Sequence, residues 1–482
     1  MQLLSKKMTE KNKKFYITTA IDYANAPLHL GHILEKVQAD VLARYHRSLG
    51  EDVFFLTGSD ENAQKNVLAA REKGVSVEKL IDENVALFKK IIKILNISND
   101  DFIRTTDKQR HWLGVKKLWE KCLENGDIYK KEYKGLYCVG CEAFLTEKDL
   151  ENGLCPEHLK KPEEISEENY FFKLSKYQKE LERLIEDDEL EIVPSKRKNE
   201  LLSFIRSGLE DFSISRPAER TEGWGVPVPG DEKQNVYVWF DALSNYLTAL
   251  DYGGDRNKFT QYWPADVHVI GKGITRFHGI YWPAMLLSAG IELPKTIFVH
   301  GYLTVNGQKI SKSLGNTINP IELKEKYGAD AIRYFLLREI TPTEDGDFSI
   351  EKFEGRYNDD LAKGLGNLVS RILKLSEGVQ PKLRDKELEE KIEETKKEVL
   401  KFLNGFKFND ALKAIWELIG FCDKYIEKEK PWEGEKDEVI SNLLFVLLEI
   451  ADLLKPFLPE TSEKIIKQVK SKKTEALFPR LD

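Results

Sequence analysis

Apolar and polar positions along the chain change rhythm several times, and each change predicts a different kind of element. "FYITTAI", from Phe15, is a β-rich run. From Gly31 to Ser48 the apolar residues Ile33, Leu34, Val37, Val41, Leu42 and Tyr45 fall at helical spacing, and "DVFFLTG", from Asp52, reads as a buried strand. Strand, glycine turn, helix and strand make a βαβ unit. "VYVWFDAL" and "DVHVIGKGI" predict a return to buried, parallel-type strands after a mixed stretch. The sheet is therefore split by an insert. After about Gly364 apolar positions recur three and four apart, as in "NDALKAIWELIGFCDKYIEK" and "VISNLLFVLLEIADLLKPFL", which predicts a closing helical bundle. The expected division is 12–107 and 237–302 for the two halves of an α/β domain, 108–236 for the insert, 303–363 for a linking segment and 364–482 for the bundle.

Composition changes this picture little. A chain of 482 residues exceeds what one hydrophobic core serves, so several domains are expected. The longest apolar stretch, Asn442 to Leu454, is interrupted by Glu449 and Asp452 and is too short and too charged to span a bilayer. The basic opening "MQLLSKKMTEKNKKF" lacks an apolar signal core and reads as a disordered lead-in to a cytoplasmic protein. The net charge of −7 means that any nucleic-acid partner is held by local basic surface.

Two loops carry candidate chemistry. "HLGH" lies where the first strand gives way to the first helix, and in an open α/β sheet such turns offer unpaired N–H groups and positive potential to phosphate. Gly31 lets a ligand approach the backbone, while His29 and His32 are donors able to reach phosphate oxygens. Taken alone, the histidines are equally compatible with capping or packing. "VNGQKISKSLGN", from Val305, is a glycine-turned loop carrying Lys309 and Lys312 between serines.

"HLGH" followed by "KISKS" is the paired signature of class I aminoacyl-tRNA synthetases, which the sequence resembles. "TTAIDYANAPLHLGH", "FFLTGSDEN", "GLYCVGCEAFLTEKDLENGLCPEH", "VWFDALSNY", "RFHGIYWPAML" and "YGADAIRYFLLREI" resemble methionyl-tRNA synthetases in order and over nearly the whole chain. The resemblance implies a Rossmann-type catalytic domain split by a zinc-knuckle insert, a stem-contact segment at 303–363 and an anticodon-binding bundle. It also implies activation of methionine by ATP, with Mg²⁺ on the phosphates, followed by transfer to tRNA(Met). Asp60 would take the ammonium group, and Ile21 and Tyr246 would contact the thioether. Tyr23, Trp239, Ala242, Leu243, Ile274, Phe277 and His278 would line the side-chain pocket. His29, Gly31, His32, Gly271, Lys309 and Lys312 would bind ATP, the histidines and lysines stabilising charge in the transition state. An aromatic pocket suits methionine because sulfur packs favourably on rings.

Cys138, Cys141, Cys155 and His158 form a Cys-x-x-Cys, thirteen residues, Cys-x-x-His pattern. Four such ligands leave no open position, so one structural zinc is expected. In the bundle, Asn367, Arg371 and Trp432 occupy the positions at which the family reads the anticodon, a stacking ring beside hydrogen-bonding side chains. The family's appended dimerising domain is not seen after "LFPRLD", and a monomer is expected.

Several positions depart from the family pattern near the expected ligands: Asp22, Asn62, Ala63, Gly273 and, mildly, Ile310. They leave a weakly catalytic tRNA-binding paralogue as the alternative. Isoleucyl, valyl and leucyl enzymes need a larger editing insert than 108–236 supplies, a cysteinyl enzyme would leave its zinc open to substrate, and a small nucleotidylyltransferase would lack the knuckle and bundle.

Overall fold

The computed structural model describes residues 13–481 except 139–142, 146, 157–158, 311–315 and 435, and only the backbone of Ala143, Phe144 and Lys148. The basic lead-in as far as Asn12, Cys141, His158 and Lys312 thus lie outside the described residues, whereas Lys14 and Phe15 at its end belong to the first strand and not to a disordered segment. The chain forms two compact units: one comprises the described part of 1–28 with Gly50–Lys90 and Asn99–Val299, the other His29–Leu49, Ile91–Ser98 and the described part of 300–482.

The first unit is built on a seven-stranded sheet. Its strands are β1 (Lys14–Thr19), β2 (Asp22–Tyr23), β3 (Asp52–Asp60), β4 (Asp101–Arg104), β5 (Glu191–Val193), β6 (Val267–Gly271) and β7 (Thr296–His300). They run in the order β2-β3-β1-β6-β7-β5, with β4 beside β3. The β1–β3, β1–β6, β2–β3, β3–β4 and β5–β7 pairs are parallel, and Ile17 stands opposite both Phe55 and Val267. β1 and β3 are buried on both faces, which is why they read as unbroken apolar runs.

"VYVWFDAL" differs from the expected strand. The extended chain ends at Val236, and Val238–Leu243 is a short helix with Val238, Phe240, Asp241, Ala242 and Leu243 all buried. A brief run buried on every side carries no period that separates helix from strand. Segment 108–236 also contributes more than an inserted module. It supplies β5 to the main sheet, and its Phe172, Leu181 and Ile185 join Tyr16 and Leu56 in one apolar core. An antiparallel sheet of Ala143–Leu145, Ile128–Cys138, Glu163–Phe172 and Phe212–Ser213 occupies the same stretch.

The second unit contains the helix α1 (Leu30–Ser48) and, much later in the chain, α2 (Ala329–Arg338), α3 (Asn367–Lys374), α4 (Lys386–Asn404), α5 (Phe408–Glu429), α6 (Asp437–Leu454) and α7 (Pro459–Ser471). In α5 the buried residues Phe408, Ala411, Leu412, Ile415, Leu418, Ile419, Cys422 and Ile426 follow the helical period read from the sequence. Arg333 of α2 is fully buried and ties distant segments together. It pairs with Asp40 of α1 at 2.7 Å and donates to the carbonyls of Phe457 (2.7 Å), Pro456 (3.0 Å) and Leu95 (3.3 Å). Burial alone would raise the Asp40 carboxyl, but Arg333, Arg44 and Ser98 outweigh it and hold Asp40 below the usual carboxylate range.

Candidate active site

The "HLGH" turn opens α1 as a reciprocal capping box made of two histidines. Gly31 N–H donates to His29 Nδ1 and His29 N–H donates to His32 Nδ1, both at 3.1 Å. A ring nitrogen that accepts a backbone N–H carries no proton. In the neutral rings the proton must therefore sit on Nε2, which makes Nε2–H the donor of each histidine. The rings stack at 3.8 Å between centroids. Burial, with Lys36 and His300 nearby, pushes His32 down to about 3, so it is neutral at physiological pH although the residue is only partly buried. A Cβ at Gly31 would stand 3.0 Å from His29 Cε1, so glycine is what lets the capping ring fold over the turn. The capping reading of these histidines and the donor reading are thus compatible.

Lys309 lies in the same unit, exposed, on a short hairpin in which Val305 pairs with Gln308 and Thr304 with Lys309. Asn316 Nδ2 donates to the Lys309 carbonyl at 3.1 Å.

The expected amino-acid pocket falls wholly within the first unit. Tyr23 registers beside Asp60 at the carboxyl end of β3, where Asp60 is 4% exposed. Ile21 packs so close that a Cβ on Gly58 would stand 2.9 Å from its Cγ2. Trp239 stacks on Phe277 with centroids 3.7 Å apart and planes 5° from parallel. Its buried Nε1 has no hydrogen-bond partner among the described residues, an orphan donor of the kind that a ligand satisfies. Ala242 and Leu243 extend the Trp239 helix, and Leu243 shares a core with Tyr246, against which Ile274 also packs.

Tyr246 and His278 form the fixed polar point of this pocket. His278 Nδ1 lies 3.0 Å from the Ile274 carbonyl, which can only accept, so Nδ1 carries the proton and Nε2 accepts from Tyr246 Oη at 2.7 Å. The hydroxyl hydrogen is thereby committed. Tyr246 also stacks on fully buried His268 at 4.2 Å; burial, then His278, hold His268 well below its ordinary range. Trp282 Nε1 donates to His268 Nε2 at 3.3 Å, and the remaining ring N–H meets Thr18 Oγ1 at 2.7 Å.

Sequence reasoning missed a second buried network. Asn62 Nδ2 donates to Asp241 Oδ2 at 2.8 Å and to the Thr105 carbonyl at 2.9 Å, Asp241 Oδ1 meets His111 Nε2 at 2.7 Å, and His111 Nδ1 meets Thr248 Oγ1 at 2.8 Å. It braces the segment after Asp60 against the helix that carries Trp239. The available signal was Asp241 itself, a charge inside the apolar "VWFDAL". Of the other departures, Ala63 is buried at the cap of Gln64–Lys73, and Gly273 lies in the 3-10 turn after Gly271. Asp22 sits on β2.

Cys138, at the end of its strand, and Cys155 are 3% and 1% exposed, while Leu159 N–H returns to the Cys155 carbonyl at 2.7 Å. Among the described residues no group of three metal-ligating side chains is complete.

In the bundle, Arg371 and Trp432 line one cavity of about 200 Å³ with Ile372, Leu375, Pro431 and Ile440. Trp432 is 52% exposed, and Asn367, also exposed, lies one turn before Arg371 on α3. Arg371 donates to Asp423 Oδ1 at 3.1 Å; burial raises Asp423 and Arg371 only partly offsets it.

A family model described as tRNA synthetases class I (M) matches residues 15–164 and 148–373, and one described as the anticodon-binding domain of tRNA ligase matches 385–480. The methionine–tRNA ligase of Caldanaerobacter subterraneus subsp. tengcongensis is 44% identical over 98% of this chain and 79% of its own. That of Clostridium perfringens is 46% identical over 96% and 74%. A structure of Mycobacterium tuberculosis methionyl-tRNA synthetase in complex with methionyl-adenylate superposes with a TM-score of 0.91, at 38% identity, over 97% of this chain and all of that one. The chain belongs to the class I aminoacyl-tRNA synthetases. Within that class its family is that of the methionyl-tRNA synthetases.

Proposed function

We propose that the chain carries out its family's ligation through the residues of these sites. Methionine enters the first unit's pocket, where Asp60 binds its ammonium group and the thioether lies by Tyr246 and Ile21, with Tyr23, Trp239, Ala242, Leu243, Ile274, Phe277 and His278 around the side chain. The observation that carries this reading is the committed Tyr246 hydroxyl. With its hydrogen given to His278, its oxygen has only acceptor character left for a ligand, and Trp239 Nε1, without a partner among the described residues, supplies a donor. Aromatic faces favour sulfur over a branched hydrocarbon.

The methionine carboxylate attacks the α-phosphate of ATP, an O–P bond forms as the bond to pyrophosphate breaks, and no enzyme nucleophile is required. His29 and His32, through Nε2–H, with Lys309, Lys312 and the backbone at Gly31 and Gly271, stabilise the charge that builds on phosphate. One such donor contributes roughly 3 kcal/mol by analogy with oxyanion sites. Mg²⁺ bound to ATP neutralises phosphate charge. The adenylate then passes methionine to the terminal ribose of tRNA(Met), with Asn367, Arg371 and Trp432 reading the anticodon. Among the described residues no helix is long and apolar enough to cross a membrane. We assign the protein to the cytoplasm as a monomer.

Zinc fits the insert by the chemistry of its donors, since buried Cys138 and Cys155 are thiols suited to a closed site completed by Cys141 and His158. One metal per chain, lost or weakened in Cys155→Ser with local loosening of the insert, is the expected result of metal analysis. None, or two, would refute it.

The experiment that tests the main reading is amino-acid-dependent ATP–pyrophosphate exchange across all twenty amino acids. Methionine should drive exchange, with leucine, isoleucine, valine and cysteine weak at most. Equal exchange with another amino acid would overturn the pocket assignment, and none at all would favour the paralogue.

A further inference from the structure

Behind His32, in the same unit, lies a set of buried charges to which the proposed chemistry gives no work. Glu35 and Lys36 follow the capping histidines on α1 and are 6% and 2% exposed. Charged groups are costly there unless paired. Lys36 Nζ stands 3.8 Å from Glu35 Oε1, and Glu35 Oε2 stands 3.2 Å from Nε2 of His300, itself 5% exposed. His300 Nδ1 lies 2.7 Å from the Gly301 carbonyl, which can only accept, so Nδ1 carries a proton. The contact between Nε2 and the carboxylate then requires a further proton between the two atoms.

The chain beyond His300 gives this contact a consequence. A Cβ on Gly301 would overlap the Glu344 carbonyl, so the chain leaving His300 is packed without slack. Two residues later begins the hairpin of Leu303–Val305 and Gln308–Lys309. Just beyond Lys309, Ile310 Cδ1 comes within 4.0 Å of where a Gly31 Cβ would stand. The hairpin thus meets α1 at the Gly31 turn, and His300 at its base meets Glu35.

We infer that the Glu35–His300 hydrogen bond is a latch that sets the Lys309 hairpin against the histidine turn, so that both sets of donors meet the same phosphates. The inference rests on the reading that those donors serve ATP. Glu35 and His300 are positioning residues: they touch neither substrate nor the reacting atoms, and Lys36 balances the carboxylate. Misplacing a donor set by about an ångström slows chemistry by up to about a hundredfold.

The test is single-turnover methionyl-adenylate formation with methionine KM measured alongside. Glu35→Ala should slow the step by about tenfold to a hundredfold and leave methionine KM unchanged. Glu35→Gln, whose amide N–H can donate to His300 Nε2, should recover to within about threefold of wild type. His300→Ala should match Glu35→Ala, and the double variant should be no slower than either, the signature of one shared contact. Glu35→Met, which fills the space, serves if the alanine variant does not fold. A wild-type rate in Glu35→Ala and Glu35→Met, a glutamine variant as slow as alanine, or multiplicative losses in the double variant would overturn the latch. Lys309→Ala is run in parallel: if it leaves the rate unchanged, the phosphate reading falls and the latch with it; if it slows the step while Glu35→Ala does not, the latch alone falls.

Discussion

The pocket of the first unit and the cavity of the bundle place the proposed recognition residues under opposite conditions. Tyr246 and His278 are 1% and 2% exposed, their tautomer and hydroxyl direction fixed by a carbonyl, whereas Trp432 is 52% exposed. A small substrate brings few contacts, so the protein must hold its own groups in place beforehand. A folded RNA brings many contacts and its own rigid frame, and an exposed ring that stacks on an unpaired base needs only to be reachable.

Asp60→Ala is the strongest way to break this comparison. If Asp60 binds the ammonium group as proposed, removing its carboxylate should cost about 3 kcal/mol or more, seen as a hundredfold rise in methionine KM in pyrophosphate exchange. An unchanged KM would show that the buried pocket does not hold the amino acid.

Trp432→Ala tests the exposed side. It should remove about 1–3 kcal/mol of tRNA interaction, lowering kcat/KM for aminoacylation while pyrophosphate exchange stays at the wild-type rate. Full wild-type discrimination between a CAU anticodon and one with a changed first base would refute the anticodon role.

Tyr246→Phe sharpens the contrast within the pocket. Without the hydroxyl, His278 Nε2 loses its donor and, on the proposed binding mode, the thioether its polar neighbour, so preference for methionine over leucine should fall by about tenfold. Side-by-side kcat/KM values for the two amino acids check this.

The smallest effect concerns pH. His32 lies near 3 in the folded chain against an ordinary 6.5. Between those values only the unfolded chain takes up the proton, so this contribution is fully present above pH 6.5 and is lost as pH falls toward 3. Urea unfolding should show the wild type losing more stability than His32→Gln between pH 7 and pH 4.

Legibility in the sequence tracked the range of the interactions. β1, β3, α1 and α5 were readable because their burial pattern is written in consecutive residues. The Val238–Leu243 helix was not, because a short run buried all round has no period, and what fixes Asp241 within it is His111, 130 positions away. Glu35 and His300, 265 positions apart, left no local trace either. The site residues were named through a family resemblance, which transmits such distant partnerships without explaining them. The capping box of His29 and His32 could have been anticipated from spacing, since positions three apart at a helix start are those that cap one another.

Arg333 has a bearing on how the protein is made. Asp40 and Leu95 leave the ribosome long before the residue that ties them, which lies 238 positions beyond Leu95, and the carbonyls of Pro456 and Phe457 emerge later still. During synthesis α1 therefore waits with Asp40 compensated by Arg44 and Ser98 but not yet by Arg333, on what will become an interior face. A nascent chain arrested before Arg333 should keep that helix open to protease and to chaperones, and release of the full chain should close it in a single late step.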